Sequence, residues 1–183
     1  MQATRGTSLS STGPAEPPSF NQSRHRLLFA LVAVAAYAVD LGTKILAVAH
    51  LTPRDPVDVV GGLLRLDLVR NPGAAFSTGT SYTLILSVIA VVAAGVVIRF
   101  GSRLGDRTWA IALGMLLGGV CGNLTDRMFR EPGFLRGHVV DFLELPHWPV
   151  FNVADMLIDT AVALILVQTW RGIGITGAPR ARP

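Results

Sequence analysis

Four long apolar segments joined by short polar connections constrain this chain more than any other feature. They run from Leu27 to His50, from about Ser81 to Ile98, from Trp109 to about Leu124 and from Val150 to Trp170. At about 1.5 Å of rise per residue, a helix of roughly 20 residues crosses a hydrocarbon layer about 30 Å thick. Composition agrees: 15% of the 183 residues are charged and 50% are hydrophobic, against about 25% charged in an ordinary soluble domain. The expected fold class is an all-α membrane protein, with four transmembrane helices and a small extracytoplasmic β element.

The connections are informative because two of them break the membrane pattern. After Pro53 and Pro56, Leu64, Leu66 and Leu68 alternate with Arg65, Asp67 and Val69. A period of two reads as a half-exposed strand, and Val57 and Val59 supply a hairpin partner across Gly61-Gly62. This stretch runs into Asn71-Pro72-Gly73-Ala74-Ala75-Phe76, a turn-like run of small residues where backbone can approach another group closely. The second connection, from Gly137, carries Asp141 behind Val139 and Val140 and leads through Pro146 and Pro149 to Asp155, where the last apolar run begins.

An ionisable group in apolar company is a candidate functional group. Asp141 and Asp155 are the first such pair, because two adjacent carboxyls can share a proton and activate water. Asn71, Asn123 and Asn152 bring amides to the same end of the bundle. Asp40 and Lys44 lie four apart on one face of the first helix. They read either as an ion pair near the helix end with a snorkelling lysine, or as part of a polar site inside the bundle. Gly114, Gly118 and Gly122 form a four-residue ladder that permits close helix approach. That helix closes with Asn123, Asp126 and Arg127.

Other chemistries find less support. Cys121 is the sole cysteine, so no intrachain disulfide can form, and its glycine-rich surroundings suit a packed thiol. His138 and His147 flank the acids without a His or Cys cluster at ligand spacing, so no metal and no cofactor are expected. The net charge of +4 comes mainly from arginine, but the arginines form neither a basic helix nor an aromatic-spaced patch, so no nucleic-acid partner is expected. Arg24, Arg26, Arg99, Arg103, Arg107, Arg171, Arg180 and Arg182 instead mark one side of the membrane as cytoplasmic. Both termini then lie there, with the acids near the outer face. The first apolar run continues past Asp40 and Lys44 to Ala49, which favours a retained helix over a cleaved signal sequence.

Five ordered motifs extend this reading: Asp40-x-x-Thr43-Lys44; Asn71-Pro72-Gly73-Ala74-Ala75-Phe76; Gly118-Gly119-x-x-Gly122-Asn123-x-x-Asp126-Arg127; Val139-Val140-Asp141-Phe142; and Phe151-Asn152-x-Ala154-Asp155. In this order, on a four-helix frame, the chain resembles the lipoprotein signal peptidases, the bacterial type II signal peptidases. The resemblance covers about residues 27–170 and leaves Asp159 outside its motifs.

The resemblance implies an intramembrane aspartic endopeptidase that cleaves diacylglyceryl-modified prolipoproteins before the lipidated cysteine. It makes Asp141 and Asp155 the catalytic dyad. Asn71, Gly73, Asn123, Asp126, Arg127, Asn152, Asp40 and Lys44 would bind substrate or support the site. The implied organisation is a disordered cytoplasmic tail over 1–26 and a peptidase domain over 27–171. Extracytoplasmic segments lie at about 51–80 and 128–150, and a cytoplasmic tail at 172–183. The expected setting is the bacterial cytoplasmic membrane, with lipidated prolipoproteins and membrane lipids as partners and the chain as a monomer. The rival readings are a transporter or channel relaying protons through Asp40, Asp155 and Asp159, and a non-catalytic scaffold.

Overall fold

The computed structural model describes residues 20–51, 55–73 and 81–178. Four α-helices, α1 (Phe20–Leu51), α2 (Ser81–Gly101), α3 (Arg107–Phe129) and α4 (Val153–Trp170), carry between them the strands β1 (Val57–Val60), β2 (Leu64–Asn71) and β3 (Val139–Glu144). All four helices are long and apolar enough to cross a membrane. Their outward faces are apolar too: Leu31 and Val34 on α1, Val88 and Val92 on α2, and Val162 and Leu166 on α4 are all exposed. Such faces suit a hydrocarbon solvent.

The helix α3 is central and packs against α1, α2 and α4. Its glycine ladder meets α1 as expected: a Cβ on Gly118 would sit 2.5 Å from the Ala36 Cβ, and one on Gly122 would sit 2.2 Å from the Asp40 Oδ2. Backbone contact of this kind is how membrane helices gain packing without a hydrophobic drive between them.

Several boundaries differ from the sequence expectation. Residues 20–26, assigned to a disordered tail, are the first turns of α1. They are held because Arg26 donates to the Ser102 carbonyl, and Leu28 and Phe29 pack against Val97, Trp109 and Leu113. Residues 1–19 of that tail lie outside the described residues. The third helix runs past Leu124 to Phe129, so Asn123, Asp126 and Arg127 stand on the helix itself. The polar groups of Asn123 and Asp126 can stay there because partners from α1, α4 and β3 satisfy them. The last helix starts at Val153, three residues after Val150, and Phe151 instead bridges to Leu143.

The hairpin across Gly61-Gly62 forms, with both glycines at positive φ (42° and 76°) and Val57 opposite Leu66. The third strand was not anticipated. Residues Val139 to Phe142 are all buried, so the alternation that marks a half-exposed strand is missing. Strand β3 pairs antiparallel with β2, setting Asp141 opposite Val69 and Val139 opposite Asn71. Asn71 is therefore the last residue of a strand, and the turn begins after it. Val140 and Phe142 pack with Ala47 of α1 and with Leu66, Leu68 and Val153, which anchors the sheet to the helix ends.

Candidate active site

The sheet end of the bundle gathers the polar motifs through one residue, Asn152. It caps α4: its Oδ1 accepts from the Asp155 amide at 3.1 Å, and the Asp155 Oδ2 accepts from the Asn152 amide at 3.1 Å. This reciprocal capping box satisfies two amides that a helix start leaves unpaired. The Asn152 Nδ2 reaches further, donating to the Asp141 Oδ1 at 2.5 Å and to the Asn123 Oδ1 at 3.2 Å. One asparagine thus holds both Asp141 and Asp155, fourteen residues apart in sequence.

Each carboxyl has a second amide donor. Asn71 Nδ2 donates to the Asp141 Oδ2 at 2.8 Å, and its own Oδ1 accepts from the Gly73 amide at 2.8 Å, which fixes the amide orientation. Gly73 has φ +93°, a conformation that favours glycine. Asn123 Nδ2 donates to the Asp155 Oδ1 at 2.8 Å. Asp141 is buried and Asp155 is partly exposed. Burial pushes the Asp141 carboxyl up to about 6 from an ordinary 3.8; the amides of Asn71 and Asn152 oppose the rise, the charge of Asp155 adds to it and that of Lys44 opposes it.

Beneath these acids lies a fully buried ionic cluster. Lys44 Nζ sits 2.9 Å from Asp40 Oδ2 and 2.9 Å from Asp126 Oδ2, and donates to the Asn123 Oδ1 at 2.8 Å. The snorkelling alternative for Lys44 is overturned: its side chain is 1% exposed. Asp40 also accepts from the Ala154 amide at 2.9 Å, and Asp126 from the Val140 amide at 3.2 Å. These two acids therefore hold the start of α4 and the strand that carries Asp141.

Sequence reasoning missed Arg130, which pairs with Asp126 from one turn below; the i, i+4 spacing was the available signal. Arg127 does not make that pair. Its Nε is buried without a hydrogen-bond partner among the described residues, and its charge couples to Asp155, Asp141 and Asp126. Asp159 is exposed on α4, apart from the network, and His147 is exposed in the loop. Ala74, Ala75 and Phe76 of the second motif lie outside the described residues.

The arrangement offers two carboxyls on common amides, one of them holding its proton up to about pH 6. A water between them would meet a base and an acid.

Comparison with known proteins places this chain in a wider set. The sequence profile of signal peptidase (SPase) II matches residues 32–171. A lipoprotein signal peptidase of Rhodococcus jostii is 48% identical over 162 residues, covering 88% of this chain and 81% of its relative. The lipoprotein signal peptidase of Streptomyces coelicolor is 47% identical over 154 residues, covering 84% and 75%. Among solved structures, a bacterial membrane enzyme determined by the in meso method at 1.9 Å superposes with a TM-score of 0.67 and 26% identity, covering 76% of this chain and 90% of that one.

Proposed function

Because the chain belongs to the signal peptidase II family, we propose that it removes signal peptides from bacterial prolipoproteins with an aspartic dyad, Asp141 and Asp155, cutting before a diacylglyceryl-modified cysteine. The observation that carries the residue assignment is the double hold of Asn152 on both carboxyls.

In this mechanism Asp155 is the base and Asp141 the acid. Asp155 takes a proton from water as the water oxygen bonds to the scissile carbonyl carbon. Asp141 gives its proton to the carbonyl oxygen, forming a neutral tetrahedral diol. Asp155 then passes the water-derived proton to the leaving amine, the C–N bond breaks, and the re-forming carbonyl returns a proton to Asp141. Electrons and protons balance with the two carboxyls and one water, so the cycle needs no cofactor. The titration belongs to the coupled pair. Arg127, whose Nε has no hydrogen-bond partner among the described residues and whose charge acts on both acids, is a candidate to donate to a substrate carbonyl oxygen.

Arginine placement supports an orientation with the sheet end at the outer face of the cytoplasmic membrane. The acyl chains of the substrate then stay in the bilayer between the helices while its peptide crosses the dyad, cradled by the sheet.

The test uses the full chain in detergent with a diacylglyceryl-modified prolipoprotein. Asp141→Asn and Asp155→Asn are expected to abolish cleavage in folded protein, while Asp159→Asn, outside the network, retains it. Cleavage by either dyad variant at the wild-type rate would refute the assignment.

A further inference from the structure

From Ser81 to Ile98 helix α2 carries no charged residue, yet two of its side chains reach the site. Tyr82, Ile85 and Val88 are exposed, while Thr83 and Ser87, four residues apart and so on one face, are buried. A hydroxyl on a helix ordinarily donates back to the carbonyl four residues earlier. Ser87 Oγ does so to the Thr83 carbonyl at 2.8 Å, but it shares its one proton with the Leu135 carbonyl at 2.7 Å, on the loop that leads into β3. Thr83 Oγ1 reaches off the helix and donates to the Pro72 carbonyl.

That carbonyl belongs to the peptide joining Pro72 to Gly73, and the N–H of the same peptide donates to the Asn71 Oδ1 at 2.8 Å. A peptide unit is planar, so holding its carbonyl fixes the direction of its N–H. The N–H sets which way the Asn71 amide faces, and the Asn71 Nδ2 donates to the Asp141 Oδ2 at 2.8 Å. Three hydrogen bonds and one rigid peptide therefore connect α2 to Asp141. The turn lies directly on α2: a Cβ on Gly73 would sit 2.4 Å from the Leu86 Cδ1. Ser87 acts on the facing strand, because the loop it holds runs into Val139, the residue opposite Asn71.

We propose that Thr83 and Ser87 are positioning residues for Asp141: Thr83 orients it through the Pro72–Gly73 peptide and the Asn71 amide, and Ser87 steadies the start of β3. The inference rests on the reading of Asp141 as the acid of the dyad. The Asn71 amide favours the charged carboxylate and opposes the rise in the Asp141 pKa, so loosening that amide raises the pKa further. The charged groups that act on Asp141 are Asp155 of α4, Lys44 of α1 and Arg127 of α3, and Val69 stands opposite it on β2. A neutral substitution on α2 alters none of these charges, so a changed pH profile reports the amide.

The experiment measures kcat and KM across pH for the full chain in detergent, with a diacylglyceryl-modified prolipoprotein as substrate. Thr83→Val keeps the side-chain shape and removes the donor. It should lower kcat about tenfold with KM within about twofold. It should also move the decline of kcat/KM upward by about 0.5–1 pH unit. Thr83→Ser, which keeps the hydroxyl, should restore both. Thr160→Val, which removes a hydroxyl bonded to the Met156 carbonyl within α4, should match wild type. Thermal melts establish that the variants fold; if Thr83→Val does not, Ser87→Ala carries the test, with the decline moved in the same direction. Wild-type kcat and pH profile in the folded variant, a loss of activity with the decline unmoved, or no restoration by Thr83→Ser overturns the proposal. Asp141→Asn in the same series separates the two readings. Cleavage by that variant refutes the acid assignment and this proposal with it, whereas its inactivity beside an unchanged Thr83→Val refutes the positioning role alone.

Discussion

Lys44→Met is the sharpest perturbation of this structure. The native cluster balances its charges: Lys44 and Arg130 face Asp40 and Asp126. Removing Lys44 leaves one uncompensated negative charge in a site where both acids are buried. At 2.9 Å, each Lys44 contact is worth ~6 kcal/mol of Coulombic attraction at an effective dielectric of about 20. Much of that is offset by the desolvation of three ions. The measured cost of breaking such a pair from one side is about 3–5 kcal/mol, and that is the expected destabilisation. It should be read as the shift in SDS-induced unfolding of the full chain in mixed micelles.

The second variant in the cycle is Asp40→Asn, and the double variant Asp40→Asn/Lys44→Met restores the charge balance, leaving Asp126 with Arg130. Because the two residues touch, their effects cannot add; the double variant should be less destabilised than the sum of the singles by ~2 kcal/mol or more. Additivity within about 0.5 kcal/mol would refute the view of Lys44 as a buried counter-ion. So would a single-variant cost near the ~0.6 kcal/mol typical of polar contacts between membrane helices. Lys44 also fixes the amide of Asn123, so Lys44→Met should lower kcat more than it raises KM. Without the ammonium, the amide can turn its oxygen toward Asp155.

The remaining predictions use the same geometry. Asp141 gives a definite pH sign: its folded pKa of about 6 lies above the ordinary 3.8, so its contribution to stability is complete below about pH 4 and is lost as pH rises through about 6. The loss amounts to ~3 kcal/mol, and Asp141→Asn should flatten that part of the stability profile. If Asp141 must be protonated, kcat/KM should also decline about tenfold per pH unit above ~6, and a profile still rising to pH 8 would count against it as the acid. Gly119→Ala drives a Cβ to 2.7 Å from the Ala154 carbonyl oxygen, and overpacking against backbone should cost about 1–3 kcal/mol; Gly42→Ala, with open space at its Cβ, should not destabilise the fold. Trp109→Phe removes the donor to the Ile173 carbonyl, at 3.0 Å in the wild type, and should cost about 1–2 kcal/mol in thermal melts by leaving that partner unpaired.

The parts of this fold legible in sequence were those with a local period. Apolar length marked all four helices, and alternation with Gly61-Gly62 marked the β1–β2 hairpin. What failed lacked local contrast. Strand β3 is buried along Val139 to Phe142, so its alternation is erased, and only its pairing with β2 reveals it. The extension of α3 through Asn123, Asp126 and Arg127 looked like a helix end because such residues are expensive in an apolar helix. Asn123 and Asp126 are tolerated because Lys44, Asp155 and the Val140 amide meet them from elsewhere in the chain. The residues of the candidate site were legible as types, since acids and amides stand out against apolar neighbours. Residue type alone does not divide their labour, which the sequence offers only through the resemblance; in the fold Asp40 and Asp126 differ from Asp141 and Asp155 in having a lysine between them.

That separation explains why the site is built at the junction of a helix start and a strand. A helix N-terminus offers free amides, and here they are taken by Asn152, Asp155 and Asp40. The interactions that begin α4 are therefore the ones that orient Asp155. The strand supplies the other acid: Val140 is tied to Asp126, and the next residue is Asp141, which meets the Asn152 amide. Stability and geometry share the same bonds, so the two acids cannot drift apart without uncapping the helix or detaching the strand. In a bilayer, where few waters are available to replace a lost partner, such shared bonding keeps two carboxyls together despite their repulsion. The Lys44 cluster completes the arrangement by placing its compensating charge one layer below the dyad, against Asn123. From Lys44 the pair Asp141 and Asp155 thus receives an oriented amide and no direct ion pair, which suits Asp141 to keep the proton that its proposed role requires.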